Sequence, residues 1–407
     1  MSDSRFIRRV QLKNYKSIAA CDVELSQLMF LVGPNGSGKS NFLDAFRFVS
    51  DALRTSLDHA IRDRGGIKEV RRRSGGHPTH FAIRFDFRLP DGVVGHYGFR
   101  IGARSEGGYE VQDEICVVHP IDALTPTARY RAQRGRVSGT IASPPPALPD
   151  RLYLVTASGL PEFRPVYDAF SRMGFYNLNP DRIRDPQATD QGELLARDGG
   201  NVASVLRELG RRDAATKSRI EEYLAKVVPG VHGVDSKTIG PMETLEFRQD
   251  VVGSSNPWRF PAGSMSDGTL RALAILVALL QSANNGSSDV PLVGIEEPEI
   301  ALHPAAVGAI LDALQDASAV TQVLVTSHSP DLLDDDRLDT ASILAVMAHE
   351  GATSIGQLDD VGRTALRDHL YTAGELLRLD QLVPDPEAVA AAAGKQLNLL
   401  EDDLQPA

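Results

Sequence analysis

Apolar and polar positions along the chain first sort it into strands and helices. Residues 5–12 (RFIRRVQL) alternate well enough to predict an edge-type strand, and residues 29–32 predict a second strand that runs into a glycine-rich turn. Phe42, Ala45, Phe46, Val49 and Leu53 then recur at helical spacing, so residues 41–53 read as an amphipathic helix with an inward apolar stripe. Residues 80–118 break into short alternating runs separated by Asp91-Gly92 and Gly107-Gly108, which predicts an antiparallel meander. Residues 121–150 are polar, end in three prolines, and read as a surface connection. From 166 to 228 the pattern is mainly helical with a stop at Asp198-Gly199-Gly200, and a strand is expected near 245–252. The last third changes character. Residues 269–280 (TLRALAILVALL) are apolar almost all round, as a buried helix requires. Short apolar strands at 291–295, 323–326 and 343–347, with a helix at 304–314, give a strand–helix–strand unit and therefore a largely parallel core sheet.

Composition narrows the class. The chain of 407 residues is 42% hydrophobic, which supports a folded core and excludes wholesale disorder. No run approaches 18 apolar residues and the N-terminus lacks an apolar leader, so neither a membrane span nor a secretory signal is expected. Two cysteines, Cys21 and Cys116, are too few for a disulfide framework, which fits a reduced, cytoplasmic setting. A net charge of −11 argues against binding DNA or anionic membrane over the whole surface, while leaving room for a local basic groove. The run 62–73 carries six basic residues and has two readings, a solvated face or a contact with phosphate.

Four segments carry chemistry. Gly33, Pro34, Asn35, Gly36, Ser37, Gly38, Lys39 and Ser40 match G-x-x-x-x-G-K-[ST] between a strand and a helix. Such a loop curls backbone N–H groups around phosphate oxygens at the positive end of the helix; Lys39 reaches the β- and γ-phosphates and Ser40 ligates Mg²⁺. Glu296 and Glu297 follow an apolar strand, where open α/β sheets bind ligands: Glu296 is assigned to Mg²⁺ and Glu297 to the general base that polarises the attacking water. Ser266, Asp267 and Gly268 lead into the apolar helix, where Ser266 either caps that helix or offers a hydroxyl and free N–H groups to an anion. His328 lies just past the next strand, one βα unit after the acidic pair, and is either structural or a contact to the γ-phosphate.

Taken in order, GPNGSGKS, MSDGTLRALAIL, VGIEEPEIALHP and VTSHSPDLL resemble the ABC-type ATPase heads of the RecF, SMC and overcoming-lysogenization-defect kind. More narrowly they resemble bacterial "predicted ATPase" proteins of the AAA family that carry EEPE-x-x-LHP; the NYKSI and RDGGNVASVLREL segments also look like that group. The resemblance implies an α/β P-loop NTPase head with a mostly parallel core sheet, an antiparallel β subdomain and an inserted helical lobe. Over residues 1–380 it implies a single head: 1–60 the Walker A part, 75–165 the β subdomain, 166–255 the helical lobe, and 256–350 the signature, Walker B and switch-histidine part. Residues 381–407 form a C-terminal tail. It implies ATP and Mg²⁺ as ligands, ATP hydrolysis, and a homodimer in which each copy's Ser266–Gly268 turn closes on the other's nucleotide. In this frame residues 33–40 are the Walker A loop, Glu296 the Walker B acid, Glu297 the catalytic glutamate and His328 the switch histidine. MSDGT in place of the transporter LSGGQ argues against a membrane transporter subunit. The biological role divides between an engine acting on DNA, in repair or anti-phage defence, and an ATP-dependent switch that controls a separate effector protein.

Overall fold

The first two strands, β1 (Ile7–Tyr15) and β2 (Ile18–Glu24), form a hairpin, and β3 (Leu28–Val32) runs into α1 (Lys39–Arg54). Two short helices follow, α2 (Leu57–Arg62) and α3 (Ile67–Val70), then the meander β4 (His80–Arg88), β5 (Val93–Ala103) and β6 (Tyr109–Pro120). The computed structural model describes residues 5–120, 128–281, 290–335 and 337–394. The segment expected to be a plain connection holds β7 (Ala128–Gln133) and β8 (Arg136–Gly139), which extend the meander; β7 turns only Ala128, Tyr130 and Ala132 inward, too few apolar positions to announce a strand. Then come α4 (Tyr153–Ala157), α5 (Arg164–Ser171), β9 (Gly174–Tyr176), α6 (Pro180–Arg184), β10 (Gln187–Ala188), α7 (Val202–Arg212) and α8 (Ala214–Val227). A second antiparallel group comprises β11 (Val231–Ile239), β12 (Met242–Gln249) and β13 (Trp258–Pro261). The last third runs α9 (Asp267–Leu280), β14 (Leu292–Glu296), α10 (Pro304–Ser318), β15 (Gln322–Ser327), β16 (Ile343–His349), β17 (Ala352–Gln357), α11 (Asp360–Arg367), α12 (Ala373–Arg378) and α13 (Pro386–Gly394). Of the tail expected at 381–407, residues 395–407 lie outside the described residues.

The chain divides into two compact units. Unit 1 comprises Met1–Met173, Arg337–Thr372 and Leu376–Ala407. Its strands lie in the order β8-β7-β6-β5-β4-β1-β2-β17-β16-β3. Pairing is antiparallel from β8 through β2 and between β16 and β17, and parallel between β17 and β2 and between β16 and β3. Strand β1 is therefore not at an edge. It is flanked by β2 and β4, and its Ile7, Val10, Leu12 and Tyr15 are buried. Helix α1 lays Phe46 and Phe48 against Tyr15, Phe81, Phe85 and Phe99 on the sheet, with Phe42 against Phe46, a close-packed aromatic core. Cys21 and Cys116 are both free and buried, and burial pushes both thiols up.

One charged cluster is built into that core. Asp44, on the buried side of α1, accepts from Tyr15 Oη at 2.8 Å and from Arg64 Nε at 3.0 Å, and pairs with Lys16 and Arg47 at 2.5 Å each. Arg64 also stands over the Phe48 ring and bonds Asp51 at 2.9 Å. So the basic run 62–73 is divided: Arg64 is a buried structural ion, Arg62 and Arg73 pair with Asp58 and Glu69 one helical turn away, and Arg71 Nη1 bonds Pro78 O. Burial alone would raise the Asp44 carboxyl, but Arg64, Arg47 and Lys16 together hold it well below the usual carboxylate range. Asp44→Ala removes the carboxylate shared by three cations, one of them buried, and is expected to cost about 3–5 kcal/mol in urea denaturation at neutral pH. Because the folded-state pKa is depressed, the contribution is in place above about pH 4 and is lost as pH falls below it, so wild type and variant should converge on acidification.

Unit 2 comprises Gly174–Asp336 and Ala373–Glu375. Its parallel strands lie in the order β15-β14-β9, and β10, β11 and β13 add antiparallel to β12. Every residue of α9 from Thr269 to Leu280 is buried, as its uninterrupted apolar pattern requires, and the helix packs against α6, α7, α8 and α10. The strand–helix–strand unit is β14–α10–β15, with β14 and β15 parallel and in contact. No helix among the described residues is long and apolar enough to cross a membrane.

Candidate functional site: a phosphate cradle and an acidic strand end

In unit 1 the buried strand β3 delivers the chain to residues 33–38, and backbone geometry explains the glycines. A Cβ on Gly33 would stand 2.0 Å from Val346 O, so this position needs the close approach only glycine allows. Gly36 and Gly38 have φ of +78° and +107°, in the left-handed region. Pro34, Asn35 and Gly36 form the exposed tip. Lys39 opens α1 and folds back over the loop, its Nζ donating to Gly33 O at 2.8 Å and to Pro34 O at 3.0 Å. Gly38 occupies the N-cap and offers no side chain to the first-turn N–H groups, which leaves that end of the helix suited to an external anion. Ser40 presents an exposed hydroxyl in the same turn. Next to it a cavity of about 440 Å³ is lined by Lys16, Ser17, Asn41, Arg64, Arg71 and Arg73 among others. Three arginines of the basic run thus reach this cavity.

In unit 2 the acidic pair ends β14. Glu296 completes the strand, with Arg197 3.7 Å from its carboxylate. Glu297 adopts φ +47°, a left-handed conformation that costs a non-glycine residue about 1–3 kcal/mol, while its N–H still bonds Thr326 O at 2.9 Å. The bend turns its carboxylate to His328, whose Nδ1 lies 2.9 Å from Glu297 Oε1. At that separation the ring N–H donates to the carboxylate, which fixes both side chains. Two residues given no role in the sequence reading support the pair. Arg271, buried on α9, donates through Nη2 to Glu296 O and Glu297 O at 3.1 Å each and through Nη1 to Leu178 O at 2.8 Å. Ser327 Oγ donates to Glu299 Oε1 at 2.6 Å and so ties the end of β15 to the segment after β14. The sequence does carry a signal for Arg271: it is the single charge in the apolar stretch 269–280, and a buried guanidinium must find fixed acceptors.

The turn at 265–269 realises the capping alternative. Ser266 Oγ accepts from Thr269 N at 3.2 Å and lies 2.9 Å from Thr269 Oγ1. Ser266 and Asp267 are nevertheless exposed, and Arg184 holds the Asp267 carboxylate at 2.5 Å. Gly268 packs against the segment after the acidic pair, since a Cβ there would meet Ala301 O at 2.4 Å. Among the described residues no three His, Cys, Asp or Glu converge as a preformed metal cage. Ser40 in unit 1 and Glu296 in unit 2 each offer side-chain oxygen, the donor type Mg²⁺ takes when water and substrate phosphates complete its shell. The residues present therefore fit that ion.

The phosphate cradle and the strand-end acids, on α/β units of this topology, define a P-loop NTPase. The family model described as "AAA domain, putative AbiEii toxin, Type IV TA system" matches residues 28–334, and the chain belongs to that family. Among solved structures, an SMC head bound to the C-winged helix domain of ScpA aligns with TM-score 0.56 and 16% identity over 88% of this chain and 99% of that one. An SMC head domain with an extended coiled coil, bound to the C-terminal domain of ScpA and derived from Pyrococcus furiosus, gives TM-score 0.53 and 14% identity over 90% and 99%. At such identities the likeness establishes the fold, that of an SMC-type head. No curated protein sequence matches the chain.

Proposed function

We propose that the protein is a Mg²⁺-dependent ATPase whose bound ATP joins two copies of the chain, and that its output serves DNA repair or defence against phage. The observation that carries the catalytic reading is the Glu297–His328 pair held at a strand end by Arg271, in a chain that also carries the residue 33–40 cradle. Phosphoryl transfer leaves a protein little covalent chemistry to do, so catalysis rests on positioning and charge stabilisation. Lys39 and the loop amides bind the triphosphate. Glu297 orients the attacking water and takes its proton; His328 steadies that carboxylate and contacts the γ-phosphate. Ser40 and Glu296 would hold Mg²⁺, which when bound neutralises charge on the phosphate oxygens. Asp44 and Glu114 belong to the fold rather than to the reaction, since both are buried against partners of their own.

Dimerisation is inferred from the turn that opens α9, whose Ser266 and Asp267 are exposed and on one copy would meet the nucleotide held by another. A role in defence finds support in the toxin–antitoxin description of the family. Sedimentation of the Glu297→Gln protein tests the assembly: monomer alone, dimer with Mg-ATP. A monomeric profile with ATP demonstrably bound overturns the sandwich.

A further inference from the structure

We propose that Thr353 is a positioning residue of the phosphate cradle, holding the Ser37–Gly38 peptide with its N–H turned toward the phosphates. The inference rests on the reading of residues 33–40 as the triphosphate site and adds to it a residue 316 positions away in the chain.

Thr353 is buried on β17 and touches the loop in two ways. Its Oγ1 donates to Ser37 O at 2.9 Å. Its side chain also fills the space on the outer side of Gly38, where a Cβ would meet Oγ1 at 2.2 Å and Cγ2 at 2.7 Å. Two more side chains feed the same hydroxyl. Ser17 Oγ lies 2.7 Å from Thr353 Oγ1, and Asn41 Nδ2 donates to Ser17 Oγ at 2.7 Å. The backbone locks Ser17 and Thr353 together as well, Thr353 N donating to Ser17 O at 3.0 Å.

Proton counting fixes the direction of this chain. A hydroxyl has one proton to give. That of Thr353 is committed to a carbonyl, which can only accept, so Thr353 must accept from Ser17. Ser17 has then spent its proton and can accept from the Asn41 amide, which is a donor. The order Asn41, Ser17, Thr353, Ser37 is the single consistent one, and each bond polarises the next.

The consequence falls on the far side of the peptide plane. In a trans peptide the carbonyl of residue 37 and the N–H of residue 38 point in opposite directions. Anchoring Ser37 O on Thr353 therefore turns Gly38 N–H away from the Thr353 side chain. Rotation of a peptide plane is the easy motion of a glycine loop, and reversal here would aim a carbonyl dipole at the triphosphate instead of a donor. Three side chains outside the Walker motif, Ser17, Asn41 and Thr353, thus hold a donor of the motif in place.

Thr353→Val keeps the shape and suits a strand while removing the hydroxyl; Thr353→Ser keeps the hydroxyl. Calorimetric titration with Mg-ATP, well below the melting temperature of each protein, should give a Kd for Thr353→Val about tenfold above wild type, the scale of one hydrogen bond lost. Thr353→Ser should stay within about twofold by retaining that bond. In turnover assays the loss should appear in KM while kcat at saturating ATP changes little, and the Gly38 amide resonance should move in Thr353→Val but not in Thr353→Ser. A purely structural threonine would lower the melting temperature and leave Kd and the KM-to-kcat pattern untouched; that result overturns the proposal. Should Thr353→Val fail to fold, Ser17→Ala replaces it: it removes the donor behind Thr353 and should raise Kd about threefold, part of one hydrogen bond, and an unchanged Kd overturns the proposal. Absence of Mg-ATP binding by the wild-type protein removes the phosphate-cradle reading and this inference together, whereas normal wild-type binding with unchanged Thr353→Val binding removes the inference alone.

Discussion

Glu297→Gln should bind ATP as the wild type does and turn it over about 10²–10⁴-fold more slowly, the range a positioned general base contributes. The substitution is nearly isosteric. It keeps the left-handed backbone at φ +47°, the N–H to Thr326 O and the carbonyl held by Arg271. What it removes is the charge and basicity of the carboxylate that faces His328 at 2.9 Å. A residue that acts only as the reaction proceeds should lower kcat and spare ground-state affinity, so single-turnover hydrolysis and equilibrium binding must separate. Equal loss in both would return Glu297 to a structural part, and unchanged turnover would refute its role as base.

The elements of the two units could be read from sequence to very different extents. Residues 33–40 and 269–280 were legible because their constraints are local: glycines at left-handed or crowded positions in one, unbroken apolarity in a buried helix in the other. Strands β14 and β15 were legible for the same reason, as short apolar runs. Non-local constraints left weaker traces. Strand β1 reads as an edge strand from its alternation, yet it is paired on both sides, with Arg9, Gln11 and Lys13 on its more polar face and Arg8 at an irregularity in its pairing with β4. Nothing in the sequence sets Arg64 apart from the five other basic residues of its run, since its burial depends on Asp44 twenty residues earlier. The Asn41–Ser17–Thr353–Ser37 chain leaves no periodic signal, because hydrogen bonds between distant polar residues have no spacing rule. Ser266 shows the opposite difficulty. Its residue type suited both a helix cap and an anion contact; the structure shows the cap, and its exposure leaves the second role to the dimer experiment.

Lys39→Ala should weaken ATP binding about 100-fold, because charge-assisted hydrogen bonds contribute about 1.5–3 kcal/mol each. The ammonium spans Gly33 O and Pro34 O at 2.8 and 3.0 Å. It therefore serves the loop twice. It satisfies two carbonyl oxygens that would otherwise present negative dipoles to the triphosphate, and it is the charge the phosphates meet. Alanine is a good helix former at the start of α1, so the melting temperature should change little and the loss should be one of affinity. Arginine is a sharper test than alanine. Lys39→Arg restores the charge with a larger planar head that the buried position does not accommodate, so it should rescue little of the affinity. Full rescue by arginine would mean that charge alone acts here and that the closed loop geometry does not. Normal ATP affinity in Lys39→Ala would mean that the triphosphate binds elsewhere.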